Sequence, residues 1–288
     1  DTAMGTMLKY GSEGSKYFID NYVLPREIAD AHTSGDIHIH DKDFYMLTET
    51  CCQIDLIKLF DGGFSTGHGF LREPNDIRSY SALACIAIQA NQNEMHGGQS
   101  IPNFDYAMAP GVAKTFKKLY FKALTEHLSI CLNCSLDEAD ALVDTLRTKL
   151  KTPITLDGTD EVTPVLSEIL HSLSFDAQIS EAAHRFAYNL ALRDTDKSTY
   201  QAMEAFIHNL NTMNSRAGAQ VPFSSVNYGT NTSAEGRMVV RNLLKATKAG
   251  LGNGETPIFP VQIFKVKEGI NYNDSDPNYD LFQLAIET

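Results

Sequence analysis

The stretch Asp36–Cys52, DIHIHDKDFYMLTETCC, places a His-x-His-Asp run ahead of two adjacent cysteines. Alternation over DIHIHD, Asp36–Asp41, predicts a strand in which residues two apart share a face. His38 and His40 on that face have the geometry to meet one metal ion, with Asp41 or Asp43 as a carboxylate ligand. The alternative is that they hydrogen-bond locally at a strand end. Cys51 and Cys52 follow a polar turn, and neighbouring strand residues point to opposite faces, so one thiol faces a cavity and the other the packing.

Two further segments alternate in the same way: QVPFSSVNYG, Gln220–Gly229, and PVQIFKV, Pro260–Val266. Between the strands lie long helical patterns. Pro74–Met95 opens on Asn75 and Asp76 and carries a broad apolar face. Val112–Asn133 is amphipathic, with Lys117, Lys118 and Lys122 on the wet side. Ser135–Lys151 opens with Ser135 and has Glu138 at the capping-box spacing. Further helices are predicted over Val162–Ser174, Ile179–Leu192 and Tyr200–Asn211, and one more from Ser233 to Gly250. Long helices between short strands predict an α/β fold with many crossovers, a barrel or wound sheet rather than a bundle.

The 288 residues suffice for a well-buried core, and a formal net charge of −12 argues against a sequence-independent grip on DNA or RNA. A nucleotide ligand remains compatible, because a few N–H groups and one or two cations hold a triphosphate locally. No apolar run is long enough to span a bilayer, so no membrane partner is expected. Five cysteines without a regular framework point to a reducing compartment, with the cytoplasm as the default. The chain opens DTAMGTMLKYG without an initiator Met and stops at DLFQLAIET inside an apolar pattern, which reads as a piece of a longer protein.

The other candidates are graded by their chemistry. Cys131 and Cys134, in CLNC, have redox or half-zinc spacing but lie at the end of a helix, where no dipole lowers a thiol pKa. They and Cys85, inside an apolar helix, read as structural. MHGGQSIPNFDYAMAPG, Met95–Gly111, combines glycines, an amide, a hydroxyl and prolines, as a loop approaching a ligand closely would. NTMNSRAGAQVPFSSVNYGTNTSAEGR, Asn211–Arg237, is richer still. Arg216 suits a phosphate in bidentate fashion, Asn214 and Gln220 carry groups that read a base edge, and the helix at Ser233 offers N–H groups to an anion.

Taken together, GDIHIHDKDFYMLTETCCQIDLIKLFDGGFSTGHG, IQANQNEMHGGQSIPNFDYAMAP and the Asn211–Arg237 segment resemble the catalytic body of the anaerobic (class III) ribonucleoside-triphosphate reductases. The likeness runs from MGTMLKYGSEGSK to TPIFPVQIFKVKEGINYN, as several long motifs in order. It implies a ten-stranded α/β barrel of the ribonucleotide reductase and glycyl radical enzyme type, with many surrounding helices, in a homodimer. It also implies reduction of ribonucleoside triphosphates to 2′-deoxyribonucleoside triphosphates without oxygen, under ATP and deoxynucleotide effectors. A radical S-adenosylmethionine activating enzyme sets a glycyl radical, and formate or a redoxin supplies electrons. Carried onto this sequence, the early-strand cysteine is Cys51, with Cys52 as the alternative if the register slips by one. Asn214, Ser215, Arg216, Gly218 and Gln220 resemble the loop that couples effector to substrate choice. Gly97, Gly98, Gln99 and Ser100 resemble a second nucleotide-contacting loop. On this view His38 and His40 lie near the active site as hydrogen-bonding groups rather than metal ligands.

The departures set the expected domain content. No cysteine follows Cys134, and no Arg-Val-x-Gly-Tyr-like segment or C-terminal Cys-x-x-Cys pair is present. The expectation is a partial catalytic barrel domain over residues 1–288. The ATP cone, the thiyl-radical loop, the glycyl-radical region and its structural zinc would lie outside it, and the fragment would be inactive alone. Two rival readings are a nucleotide-binding or dimerisation module, and a metal-dependent barrel hydrolase using His38 and His40.

Overall fold

The computed structural model describes residues 2–158, 161–176, 178–216 and 219–288. In chain order the elements are α1 (Ala3–Phe18), α2 (Arg26–Ser34), β1 (Thr50–Gln53), α3 (Leu56–Phe60), β2 (Phe64–Ser65), β3 (Phe70–Leu71) and α4 (Ile77–Glu94). They continue as β4 (His96–Ile101), α5 (Phe104–Leu132), α6 (Leu136–Lys149), α7 (Val162–Ser172) and α8 (Ile179–Thr212). The last are β5 (Ser224–Tyr228), α9 (Ala234–Ala249), β6 (Val261–Phe264) and α10 (Tyr279–Ile286). Strands β1, β4, β5 and β6 form one sheet in that order, every pair parallel, and β2 and β3 make a separate small hairpin. The fold is thus mixed α/β with a parallel sheet and many helices.

Local chemistry explains most element ends. Asp76 and Ser79 form a reciprocal capping box on α4, and Ser135 and Glu138 do the same on α6. Ser233 caps α9, and Gly250, at φ +77°, ends it. Within the sheet, Ser224, Val226 and Tyr228 of β5 are buried, while Ser225 and Asn227 are half-exposed. The core lies among α4, α5, α8 and α9, with Phe104, Met108, Phe116, Met203, Phe206 and Val239 among its fully buried members. Where α5 crosses α4, a Cβ on Gly111 would sit 2.8 Å from the Tyr80 ring, so glycine permits the close approach.

Several expectations are corrected. DIHIHD is not a strand: α2 ends at Gly35 in the left-handed region, and the chain runs irregularly to a 3-10 turn at Lys42–Phe44. The Ile39 N–H is taken by His32 Nδ1 at 3.1 Å, so it is given to a side chain rather than to a ladder. The predicted break between Ile179–Leu192 and Tyr200–Asn211 is absent, because RDTDKS contains no Gly or Pro and α8 runs straight through it. Met95–Gly111 is not a loop. His96–Ile101 is strand β4, and Phe104–Gly111 opens α5 with Pro110 inside it. Burial of Ala107, Met108, Gly111 and Val112 holds the helix there despite the missing N–H.

One face of the sheet is open. Parallel sheets are ordinarily covered on both sides, yet Cys51, Phe223, Val261 and Ile263 are exposed. No helix among the described residues is long and apolar enough to cross a membrane.

Candidate active site

The starts of β1 and β4 lie side by side through the pair Thr50–His96, while β5 begins opposite Gln99 and β6 opposite Ser225. Cys51 lies at that end. Its backbone is left-handed, φ +62°, a conformation that costs a non-glycine residue about 1–2 kcal/mol. Its thiol is exposed, and Gly98 N–H points at Sγ from 3.4 Å. Gly97, at φ +90°, makes room: a Cβ there would be 2.9 Å from both the backbone N and the Sγ of Cys51. Cys52 is only partly exposed and packs against the hydrophobic core.

The second predicted segment arrives beside the first. Ser215 donates to the Gln92 side-chain oxygen, and Ser215 N–H bonds the Gln220 carbonyl at 3.0 Å. Arg216 directs three of its five N–H donors at the end of α4 and the start of β4. Nε reaches the Gln92 carbonyl at 2.9 Å, Nη2 the Met95 carbonyl at 2.7 Å, and Nη1 His96 Nδ1 at 3.1 Å. A guanidinium on the last carbonyls of a helix complements both the unpaired acceptors and the dipole. Burial pulls the Arg216 guanidinium below its ordinary pKa, and the nearby Asp41 charge pushes it back up. Asn214 and Gln220 are exposed, and Gly218 lies outside the described residues.

His96 continues the chain of contacts. Its Nε2 is 3.1 Å from Asp41 Oδ1, and the Phe44 ring stacks on it at 3.9 Å with an interplanar angle of 9°. The other Asp41 oxygen is buried, 3.3 Å from His40 Nε2 but without hydrogen-bond geometry. His38 is exposed and lies between His32 and His40, with ring centroids 5.7 and 5.8 Å away. Among the described residues, no group of three His, Cys, Asp or Glu is placed to hold a metal ion.

The structure therefore brings Cys51, Gly97, Gly98, Ser215 and Arg216 into one neighbourhood. Gln99 faces away from Cys51. It is fully buried, with its side-chain oxygen accepting from Asn91, and Ser100 is half-buried, with its carbonyl accepting Ile54 N–H at 2.7 Å. Phe44, Gln92 and Phe223 were missed as members of this cluster, and Asp41, expected as a carboxylate beside His38 and His40, joins it through His96. The glycine pair after His96 was the available signal. The opposite ends of β5 and β6 are closed by protein groups. Buried Asp105 accepts the N–H groups of Gly229, Thr230 and Asn231 through one oxygen, and Asn271 and Asn278 bond the Gly229 carbonyl. At the start of α9 itself Gly236 N–H is taken by the Ser233 hydroxyl at 3.1 Å, so the internal carboxylate serves the loop before the helix rather than the helix N–H groups.

Sheet and cluster together define an α/β protein that presents a cysteine thiol from the edge strand of a parallel sheet. The family model of anaerobic ribonucleoside-triphosphate reductase matches residues 1–288, and the chain belongs to that family. Curated relatives named anaerobic ribonucleoside-triphosphate reductase include those of Enterobacteria phage T4, 29% identical, and Salmonella typhimurium, 27% identical. Each alignment covers 95% of this chain, against 36% of the phage protein and 31% of the Salmonella one. The Escherichia coli protein is 25% identical, with 95% of this chain and 31% of its own length aligned. The chain thus spans about a third of the length of the curated relatives it matches.

Proposed function

We propose that this chain is the part of an anaerobic ribonucleoside-triphosphate reductase that presents Cys51 to the ribose of its substrate. The observation that carries this reading is the contrast between the two cysteines. Cys51 is exposed, held in a strained backbone and met by a peptide N–H, whereas Cys52 packs into the core. Strain of this kind persists where the surroundings over-determine it, which is typical of functional sites.

In the reaction the C2′–O bond breaks, the oxygen leaves as water and a C2′–H bond forms. Two electrons come from formate, which becomes carbon dioxide, or from a dithiol redoxin, which becomes a disulfide; protons balance the water. The glycyl radical implied by the resemblance supplies the one-electron initiation. Cys51 holds a thiol hydrogen at the open face of the sheet. Asn214, Ser215, Arg216 and Gln220, with the glycine pair Gly97–Gly98, border the nucleotide. Arg216 has two N–H donors beyond its three protein contacts, enough for a phosphate oxygen.

The uncovered face, with Phe223, Val261 and Ile263 exposed, supports a sheet that belongs to a larger barrel of ten strands. A homodimer, ATP and deoxynucleotide effectors, the radical S-adenosylmethionine activating enzyme and a cytoplasmic setting complete the reading. The test is conversion of ribonucleoside triphosphates by the anaerobically activated full-length protein. Appearance of the 2′-deoxy product supports the proposal. Nucleotide binding without product would favour a regulatory binding module instead.

A further inference from the structure

The strand opposite Cys51 carries extra length. From Thr50 to Cys52 β1 advances two residues, while β4 advances three, from His96 to Gln99. Irregularities of this kind re-aim the side chains beside them. Here Gly97 and Gly98 are the residues pushed towards the thiol. The far end of the irregularity is pinned where Gln99 N–H meets the Phe223 carbonyl at 2.8 Å.

The near end is His96, and both of its ring nitrogens are engaged. A guanidinium only donates and a carboxylate only accepts. An imidazole between Arg216 and Asp41 therefore satisfies both in one form, with the Nδ1 lone pair toward Arg216 and Nε2–H toward Asp41. Phe44 stacks flat on the ring and blocks its rotation. The clamp itself is anchored, because Lys42 is buried against Asp20 with contacts of 2.8 and 2.7 Å, and Ser12 donates to Asp43 at 2.5 Å. Successive residues 41 to 44 thus tie His96 to the N-terminal helices.

We infer that His96 is a positioning residue for Cys51. Held by Asp41, Arg216 and Phe44, it fixes where the irregular stretch begins, and so the distance and direction from which Gly98 N–H meets the thiol. This rests on the reading of Cys51 as the reaction-centre residue. It also assigns Arg216 a second part: the side chain that leaves the proposed nucleotide segment ends on the residue that sets the thiol's surroundings.

The experiment compares His96→Leu, which removes both ring contacts, with His96→Gln, which keeps an amide donor near the Nε2 position. In the full-length protein, iodoacetamide labelling of Cys51 is read by peptide mass against Cys131 in the same sample. Turnover is read separately as kcat and KM. Buried Cys85 must stay unlabelled, which certifies the fold; if His96→Leu fails that check, Asp41→Leu, with Asp41→Asn as its conservative partner, carries the comparison. In the Leu variant we expect the Cys51-to-Cys131 labelling ratio to change by about 10-fold and kcat to fall by about 10- to 100-fold, with KM within about twofold. The Gln variant should recover part of both. An unchanged labelling ratio, a loss confined to KM, or a Gln variant no better than Leu overturns the inference. Labelling needs no turnover, so it stands apart from the reductase reading, which fails instead if Cys51→Ser still reduces nucleotides.

Discussion

Arg216 Nη1 lies 3.1 Å from His96 Nδ1, so the loop that follows α8 is fastened to the first residue of β4. The same guanidinium closes the end of α4 on the Gln92 and Met95 carbonyls. Arg216→Ala should lower stability by about 1.5–3 kcal/mol, the range for hydrogen bonds to a charged group. In the full-length enzyme it should also blunt effector-dependent substrate preference. Arg216→Lys should fall between, because an ammonium cannot serve three divergent acceptors as a planar fork does. Urea unfolding and competition between substrates check the two effects, and unchanged preference in Arg216→Ala would remove it from the nucleotide segment.

Gly97 and Gly98 are neighbours with different tolerances. At Gly97 an added Cβ meets backbone and Sγ of Cys51 at 2.9 Å, and φ is +90°, so Gly97→Ala must displace the thiol. At Gly98 the added Cβ meets the edge of the exposed Phe223 ring at 3.2 Å, and that ring has room to turn. Gly97→Ala should reduce turnover by about 100-fold or more, as expected when a reacting group is misplaced by an ångström. Gly98→Ala should be several times milder, and equal losses in the two variants would contradict this geometry.

Cys51 holds a left-handed backbone that glycine adopts freely. Cys51→Gly should therefore keep or raise stability, by up to about 1 kcal/mol, while abolishing reduction. A clear destabilisation in thermal unfolding would show that the backbone there is not strained.

Cys85 gives a pH signature. Burial pushes its thiol from 9.0 up to about 12, partly opposed by a hydrogen bond with Asn209. An acid raised on folding stays protonated in the native state while the unfolded chain already ionises. Its contribution is therefore intact below pH 9 and is lost progressively between pH 9 and about 12. The slope is at most about 1.4 kcal/mol per pH unit. Urea midpoints at pH 8 and pH 10 should converge in Cys85→Ala relative to the parent chain; an identical pH slope would assign the alkaline loss to other groups.

What was legible in the sequence was local. Asp76, Ser135 and Ser233 announce their helices because a cap and its partner lie within one turn. The strands in Gln220–Gly229 and Pro260–Val266 alternate because one face of each is set against helices. DIHIHD alternates equally well and forms no strand, since a ladder needs a neighbour and Ile39 is given His32 instead. The cluster around Cys51 is joined by contacts across long stretches of chain, Asp41 to His96 and His96 to Arg216, which no periodicity encodes. The glycine pair showed that something approaches closely at residues 97–98. Its partner, the Cys51 thiol, became visible only in three dimensions.

The most direct test of the central claim is a side-by-side comparison of Cys51→Ser and Cys52→Ser in the anaerobically activated full-length enzyme, measuring 2′-deoxynucleotide formed per minute. A serine cannot donate a hydrogen atom as a thiol does, so Cys51→Ser should form no detectable product. Cys52→Ser, a change in a packed side chain, should retain most of the parent rate. Turnover in Cys51→Ser, or its loss only in Cys52→Ser, would contradict the assignment of the exposed thiol as the reaction centre.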